Sequence, residues 1–174
     1  MTVSSFTTLT LTPTPIVTFN IRTPSRTLDA IRESREFLIH ILSATESGAR
    51  VSHVFTQGNN PSATTSVFTS PEFGVATYGR KGEAQLPLLA ADGVIKVLRC
   101  RLHTAEGLEQ FGGLVPVGDH VLVLANVVGI VEPPRRADSA EGEEKGLSYL
   151  DRAYRYPGSV IDHVRGQEDD NLDE

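Results

Sequence analysis

Residues 121–131, VLVLANVVGIV, form eleven consecutive positions with a single polar side chain, Asn126. The run is too short for the ~18 residues of a membrane-spanning helix. Its almost wholly apolar content instead suits a strand. Such a strand belongs at the centre of a sheet, and Gly129 is the position within it where a bulge is expected. Residues 94–102, VIKVLRCRL, alternate apolar and polar side chains and predict a half-buried strand. Residues 37–42, FLIHIL, predict a short buried one. Two more apolar stretches, residues 9–11 and 16–21, are separated by Pro13 and Pro15, which break a helix and favour a turn between strands.

Helical signals are few and local. From Ser25 to about Ser34, Leu28, Ala30 and Ile31 recur at helical spacing, with Ser25 or Thr27 as cap and Asp29 in the first turn. A second amphipathic pattern follows Thr45 and Glu46 and ends at Gly58. Residues 59–78 are rich in Ser, Thr and Pro and hold no sustained period, so they predict a long ordered loop over the surface or over a site. Gly112, Gly113 and Gly118 supply turns before the central strand. Residues 135–145 are polar and expected to be mobile, as are the last residues of the chain. Many short strands, few helices and many turns predict a mainly β domain, a barrel or a sandwich. One such domain over residues 1–165 with an acidic tail over 166–174 accounts for the length.

The formal charge of −6 lies in that tail: residues 167–174 hold five carboxylates and no base, and the rest carries 17 acids against 16 bases. A near-neutral body provides no electrostatic footprint for nucleic acid and no basic block for anionic lipid. The one cysteine, Cys100, excludes an internal disulfide and any multi-cysteine metal site. Without a signal-peptide pattern at its start, the chain is expected to be soluble and intracellular, in the cytoplasm or a mitochondrion.

The motifs that remain are weak one by one. There is no G-x-S-x-G elbow, no zinc helix among the five histidines, no P-loop and no G-x-G-x-x-G. Three clusters survive. Thr2, Ser4 and Ser5 bring hydroxyls and backbone N–H groups that suit a phosphate or a polar heteroaromatic edge, or simply form a Ser/Thr-rich strand edge. Ser25, Arg26 and Thr27 stand at a helix N-terminus that favours an anion, although a serine there is also an ordinary cap. Gly118, Asp119 and His120 lead from a turn into the central strand, either as a hairpin with a surface histidine or as a site.

Their order along the chain carries more. T-V-S-S-F at residues 2–6, P-x-P-x-V-x-F-N-I at 13–21, S-x-T at 25–27, F-x-I-x-I-L at 37–42, L-x-C-x-L at 98–102, G-D-H at 118–120 and Tyr154-Arg155 follow one another. This ordered set resembles the flavin reductase-like family, over roughly residues 2–158. The resemblance implies an FMN-binding split β-barrel with short flanking helices. It implies a homodimer holding FMN, or FAD, in a groove shared between subunits, with NAD(P)H as reductant and a monooxygenase as possible partner.

By matching position, the resemblance assigns Thr2, Ser4 and Ser5 to the flavin ring and ribityl chain, and Asn20 to the neighbourhood of the flavin. It assigns Ser25, Arg26 and Thr27 to the phosphate side, His120 to the face shared by flavin and nicotinamide, and Tyr154 with Arg155 to a C-terminal closing element. Family members usually carry one further strand before the segment that starts here at Thr2, and residues 102–117 resemble an insertion. A barrel without that first strand is therefore the expected fold. The missing strand keeps two alternatives to a reductase in play, a flavin-binding module without reductase activity and a cofactor-free dimeric scaffold.

Overall fold

The computed structural model describes residues 1–56, 73–79, 85–104, 106–107, 109–133 and 145–158. The polar stretch expected at 135–145, apart from Lys145, the acidic tail and most of the expected loop lie outside them. The elements are β1 (Thr7–Thr10), β2 (Ile16–Arg22), α1 (Arg26–Ser34), β3 (Glu36–Leu42), α2 (Glu46–Thr56), β4 (Gly74–Tyr78), β5 (Leu86–Ala90), β6 (Val94–Leu102), β7 (Leu114–Val117), β8 (His120–Val131), β9 (Ser148–Leu150) and β10 (Ala153–Arg155).

β8 organises the molecule, as its apolar run predicts. The main sheet is antiparallel in the order β1-β2-β8-β6-β3. On one side β8 pairs with β2 through residues 120–126; on the other it pairs first with β7 and then with β6. Opposite β6 the register slips, so that Arg99 faces Gly129 and Cys100 faces Val127, leaving Val128 as the extra residue. The expected bulge is thus at Val128, beside Gly129. One inserted residue exchanges the faces of a strand. Before the bulge Val121, Val123 and Ala125 enter one core; after it Val131 enters another.

The first core lies inside the curved sheet. Val17, Phe19 and Ile21 of β2 meet Val121 and Val123 of β8, Leu102 of β6, and Phe37 and Ile39 of β3. α1 closes it with Leu28 and Ile31, three residues apart on one helical face. That helix begins where its cap predicts, with Ser25 Oγ accepting from Leu28 N at 3.3 Å. It ends at Arg35, which adopts the left-handed conformation (φ 59°) and donates its backbone N–H to Ile31 O at 2.9 Å. The second core covers the opposite face of β3 and β6, where Leu38, Leu42, Val94 and Val97 pack under Val51 of α2 and Leu88 and Leu89 of β5.

One expectation is corrected. Residues 74–78 are not loop: they form β4, paired along its whole length with β5, and Phe73 beside them is buried. The five exposed or half-exposed residues of β4 show no apolar alternation, and Pro87 within β5 argues against a strand. Their pairing is tertiary and leaves no periodic trace. The segment before the G-D-H turn contains a single 3-10 turn, Glu109–Phe111, and the short strand β7.

Candidate functional site

Period-2 alternation in β2 sends Val17, Phe19 and Ile21 inward, so Thr18, Asn20 and Arg22 face out. The register places Arg22 opposite His120 and Asn20 opposite Leu122, which brings all four to one open face. Ser5 joins them from the N-terminal segment: its Oγ accepts from Asn20 N and donates to Asn20 Oδ1, both at 3.0 Å. The two bonds fix the amide with Nδ2 left as an outward donor. Thr18 Oγ1, on the same face, is buried without a hydrogen-bond partner among the described residues.

Gly118 makes the turn into β8 with φ +58°, and Asp119 follows as a hub. Its Oδ1 lies 2.7 Å from His120 Nδ1, and its Oδ2 accepts from Arg22 Nε at 3.1 Å. Its backbone carbonyl accepts from Thr23 N at 2.8 Å and from Thr23 Oγ1 at 3.0 Å. The hydrogen bond to His120 holds the Asp119 carboxyl below the usual carboxylate range, and the Arg22 guanidinium adds to the effect. Thr23 ties this turn to the start of α1, so Ser25, Arg26 and Thr27 follow directly. Ser25 serves α1 as its N-cap, and Arg26 is exposed. Gly113 sits where β7, β8 and the end of β6 converge: φ is +86°, and a Cβ would come within 2.7 Å of His103 O.

The remaining expected residues lie elsewhere. Thr2 Oγ1 donates to Ser52 O on α2 at 2.7 Å, and Ser4 is exposed. Tyr154 and Arg155 belong to the β9–β10 hairpin, where the Tyr149 and Tyr154 rings stand 5.3 Å apart. They line an open hollow of about 280 Å³ against Thr45, Glu46 and Ala49 at the start of α2. None of Ser5, Asn20, Thr27 or His120 lines it. The structure therefore gathers Ser5, Asn20 and His120 beside the α1 start, and sets Tyr154 and Arg155 apart. Sequence reasoning missed Arg22, which the outward parity of β2 marks, and the use of Asp119, which is next to His120 in the chain.

Other ionisable groups have structural employment. His40 Nε2 accepts from Leu89 N at 3.0 Å, and burial pushes the imidazole down to about 4. Burial pushes the Cys100 thiol up to about 12, which removes it as a nucleophile near neutral pH. Glu36 accepts two-pronged contacts from both Arg99 and Arg101, and the Arg99 hydrogen bond leads in holding its carboxyl low.

A family model described as the flavin reductase like domain matches residues 1–158. Among solved structures, the flavin reductase of styrene monooxygenase from Pseudomonas putida has a TM-score of 0.58 at 21% identity, over 91% of this chain and 81% of that one. An NADH:FAD oxidoreductase from Streptomyces globisporus, in complex with NAD and FAD fragments, gives 0.59 at 19% identity, over 92% and 78%. A nitrilotriacetate monooxygenase component B homologue from Mycobacterium thermoresistibile gives 0.57 at 22%, over 95% and 76%. At these identities the likeness is one of fold, the split barrel expected from the sequence. No helix among the described residues is long and apolar enough to cross a membrane.

Proposed function

The chain belongs to the flavin reductase-like family of oxidoreductases, and from that premise we propose that it binds FMN, or FAD, and passes hydride to it from NAD(P)H. The bound flavin supplies the electron-accepting ring; the protein supplies orientation and electrostatics. The observation that carries the reading is the alignment of Ser5, Asn20, Arg22 and His120 on one open face, next to the α1 start. That face offers donors in Asn20 Nδ2 and the Arg22 and Arg26 guanidiniums, with the His120 ring beside them. Its Asp119 carboxylate is already engaged by Arg22 and His120. Such a set fits an electron-rich heteroaromatic edge with an attached phosphate.

Ser5 contributes by locking Asn20, while Thr2 ties the same segment to α2. The hollow beside Tyr154 and Arg155 combines aromatic rings, a guanidinium and the start of α2, a combination suited to the nucleotide end of a ligand. At about 280 Å³ it is at the lower limit of the ~300–1,000 Å³ of ordinary ligand pockets. A second copy of the chain therefore completes the groove. The exposed apolar side chains Leu9, Leu11, Val128 and Ile130 give that copy a surface to cover. The styrene monooxygenase flavin reductase and the monooxygenase component B homologue among the similar structures support an oxygenase as recipient of the reduced flavin.

Fluorescence titration of FMN and FAD with the purified protein, followed by anaerobic addition of NADH or NADPH, tests the reading. The expected result is quenching of the flavin and bleaching of its visible absorbance. Quenching without bleaching would leave a flavin-binding module, and no quenching would leave a scaffold.

A further inference from the structure

A guanidinium and an imidazole meet on the carboxylate of Asp119, which stands in the turn between β7 and β8. An ionised carboxylate only accepts hydrogen bonds, so the 2.7 Å contact to His120 requires the proton on Nδ1. The Nε2 edge of the ring then points away from Asp119. Arg22 Nε on the second oxygen keeps the carboxylate turned toward the ring. The bonds from Thr23 to the Asp119 backbone carbonyl hold the turn itself and do not depend on the side chain.

We propose that Asp119 is the positioning residue for His120: it fixes the tautomer and presents Nε2 to the open face shared with Asn20. The inference rests on the reading of His120 as a flavin and nicotinamide contact. It adds that Asp119, itself held by Arg22 Nε, sets how that contact is made. Among the described residues, the charged groups tied to the imidazole are Asp119 in its own turn and, through that carboxylate, Arg22 on β2. The partner strand β7, Leu114–Val117, carries no ionisable side chain. Asp119 and His120 are 62% and 41% exposed, so the charge component is screened. Tautomer and aim are the larger effects.

The test is nitrogen-15 imidazole NMR on the full chain without flavin, with the His120 signals identified by their loss in His120→Gln. The wild type is expected to show Nδ1–H. Asp119→Ala should release the proton to Nε2, while Asp119→Asn, which keeps an acceptor oxygen, should retain Nδ1–H. In the flavin-loaded protein Asp119→Ala should slow anaerobic bleaching about tenfold with flavin affinity unchanged. Nε2–H in the wild type, an unmoved tautomer in Asp119→Ala, or a moved tautomer with wild-type bleaching would each overturn the proposal. If Asp119→Ala does not fold, Asp119→Leu, which fills a similar volume and accepts no hydrogen bond, takes its place, and an unmoved tautomer there overturns it. A wild-type chain that binds no flavin breaks the functional reading instead, and the imidazole spectrum still decides whether Asp119 sets the tautomer.

Discussion

The two ends of the main sheet treat their histidines in opposite ways. At the β3–β6 end apolar layers cover both faces, α2 and β5 lying over one and α1 over the other. There His40 is half-buried, its Nε2 satisfied by a backbone N–H and its charged form disfavoured. At the β2–β8 end the described residues build a core on the inner face alone, and the outer one carries Asn20, Arg22 and His120. His120 is bound there by a carboxylate and keeps an edge toward solvent. Two histidines on strands of one sheet thus differ because, among the described residues, one face has a second layer and the other does not. The covered end stabilises, and the open end is free to bind.

Adjacent residues of β2 offer the sharpest way to break this contrast. Ile21 is 1% exposed inside the first core, and Ile21→Ala should cost about 2–5 kcal/mol in urea unfolding. Asn20→Ala, one residue away on the open face, should cost less than about 1 kcal/mol yet weaken flavin binding. Equal destabilisation by both would mean that the outer face is also a packed core.

The covered histidine predicts a pH effect of similar size. The unfolded chain takes up the His40 proton near pH 6.5, whereas the folded one does so only at about 4. Between those values the unfolded state binds more protons, so stability rises with pH across this window and falls on acidification. The full difference amounts to about 3 kcal/mol. It should largely disappear in His40→Gln, which retains an acceptor for Leu89 N. An acid limb that is unchanged in the variant would locate the effect elsewhere.

Much of this was legible in the chain because the signals were local. Ser25 with Leu28 and Ile31 marks α1, and the alternation of residues 94–102 marks β6. β4, β5 and β7 escaped because they are four or five residues long and two of them contain proline, Pro87 and Pro116. The site divides in the same way. Asp119 and His120 are neighbours in sequence, and their contact was within reach of it. Ser5 meets Asn20 across 15 positions and Arg22 meets Asp119 across 97, so both pairs depend on strand register. Family order set Tyr154 and Arg155 in the same functional group as His120, but the β9–β10 hairpin packs at the far end of β3, where Leu147 N donates to Leu42 O.

The smallest predicted effects separate a cap from a ligand contact at the α1 start. Ser25 Oγ accepts from Leu28 N, so Ser25→Ala should lower stability by about 1 kcal/mol through an unsatisfied helix end. Arg26 is exposed and makes no described contact, so Arg26→Ala should leave stability within about 0.5 kcal/mol. If the phosphate of FMN lies there, Arg26→Ala should raise the FMN Kd about three- to tenfold, an effect that shrinks with added salt. Ser25→Ala should raise it less, because the hydroxyl is already committed to the helix. The reverse order, with Ser25 governing affinity and Arg26 without influence, would move the phosphate off the guanidinium and onto the helix end itself. Unchanged affinity in both would shift it to the α2 hollow, where Arg155 waits.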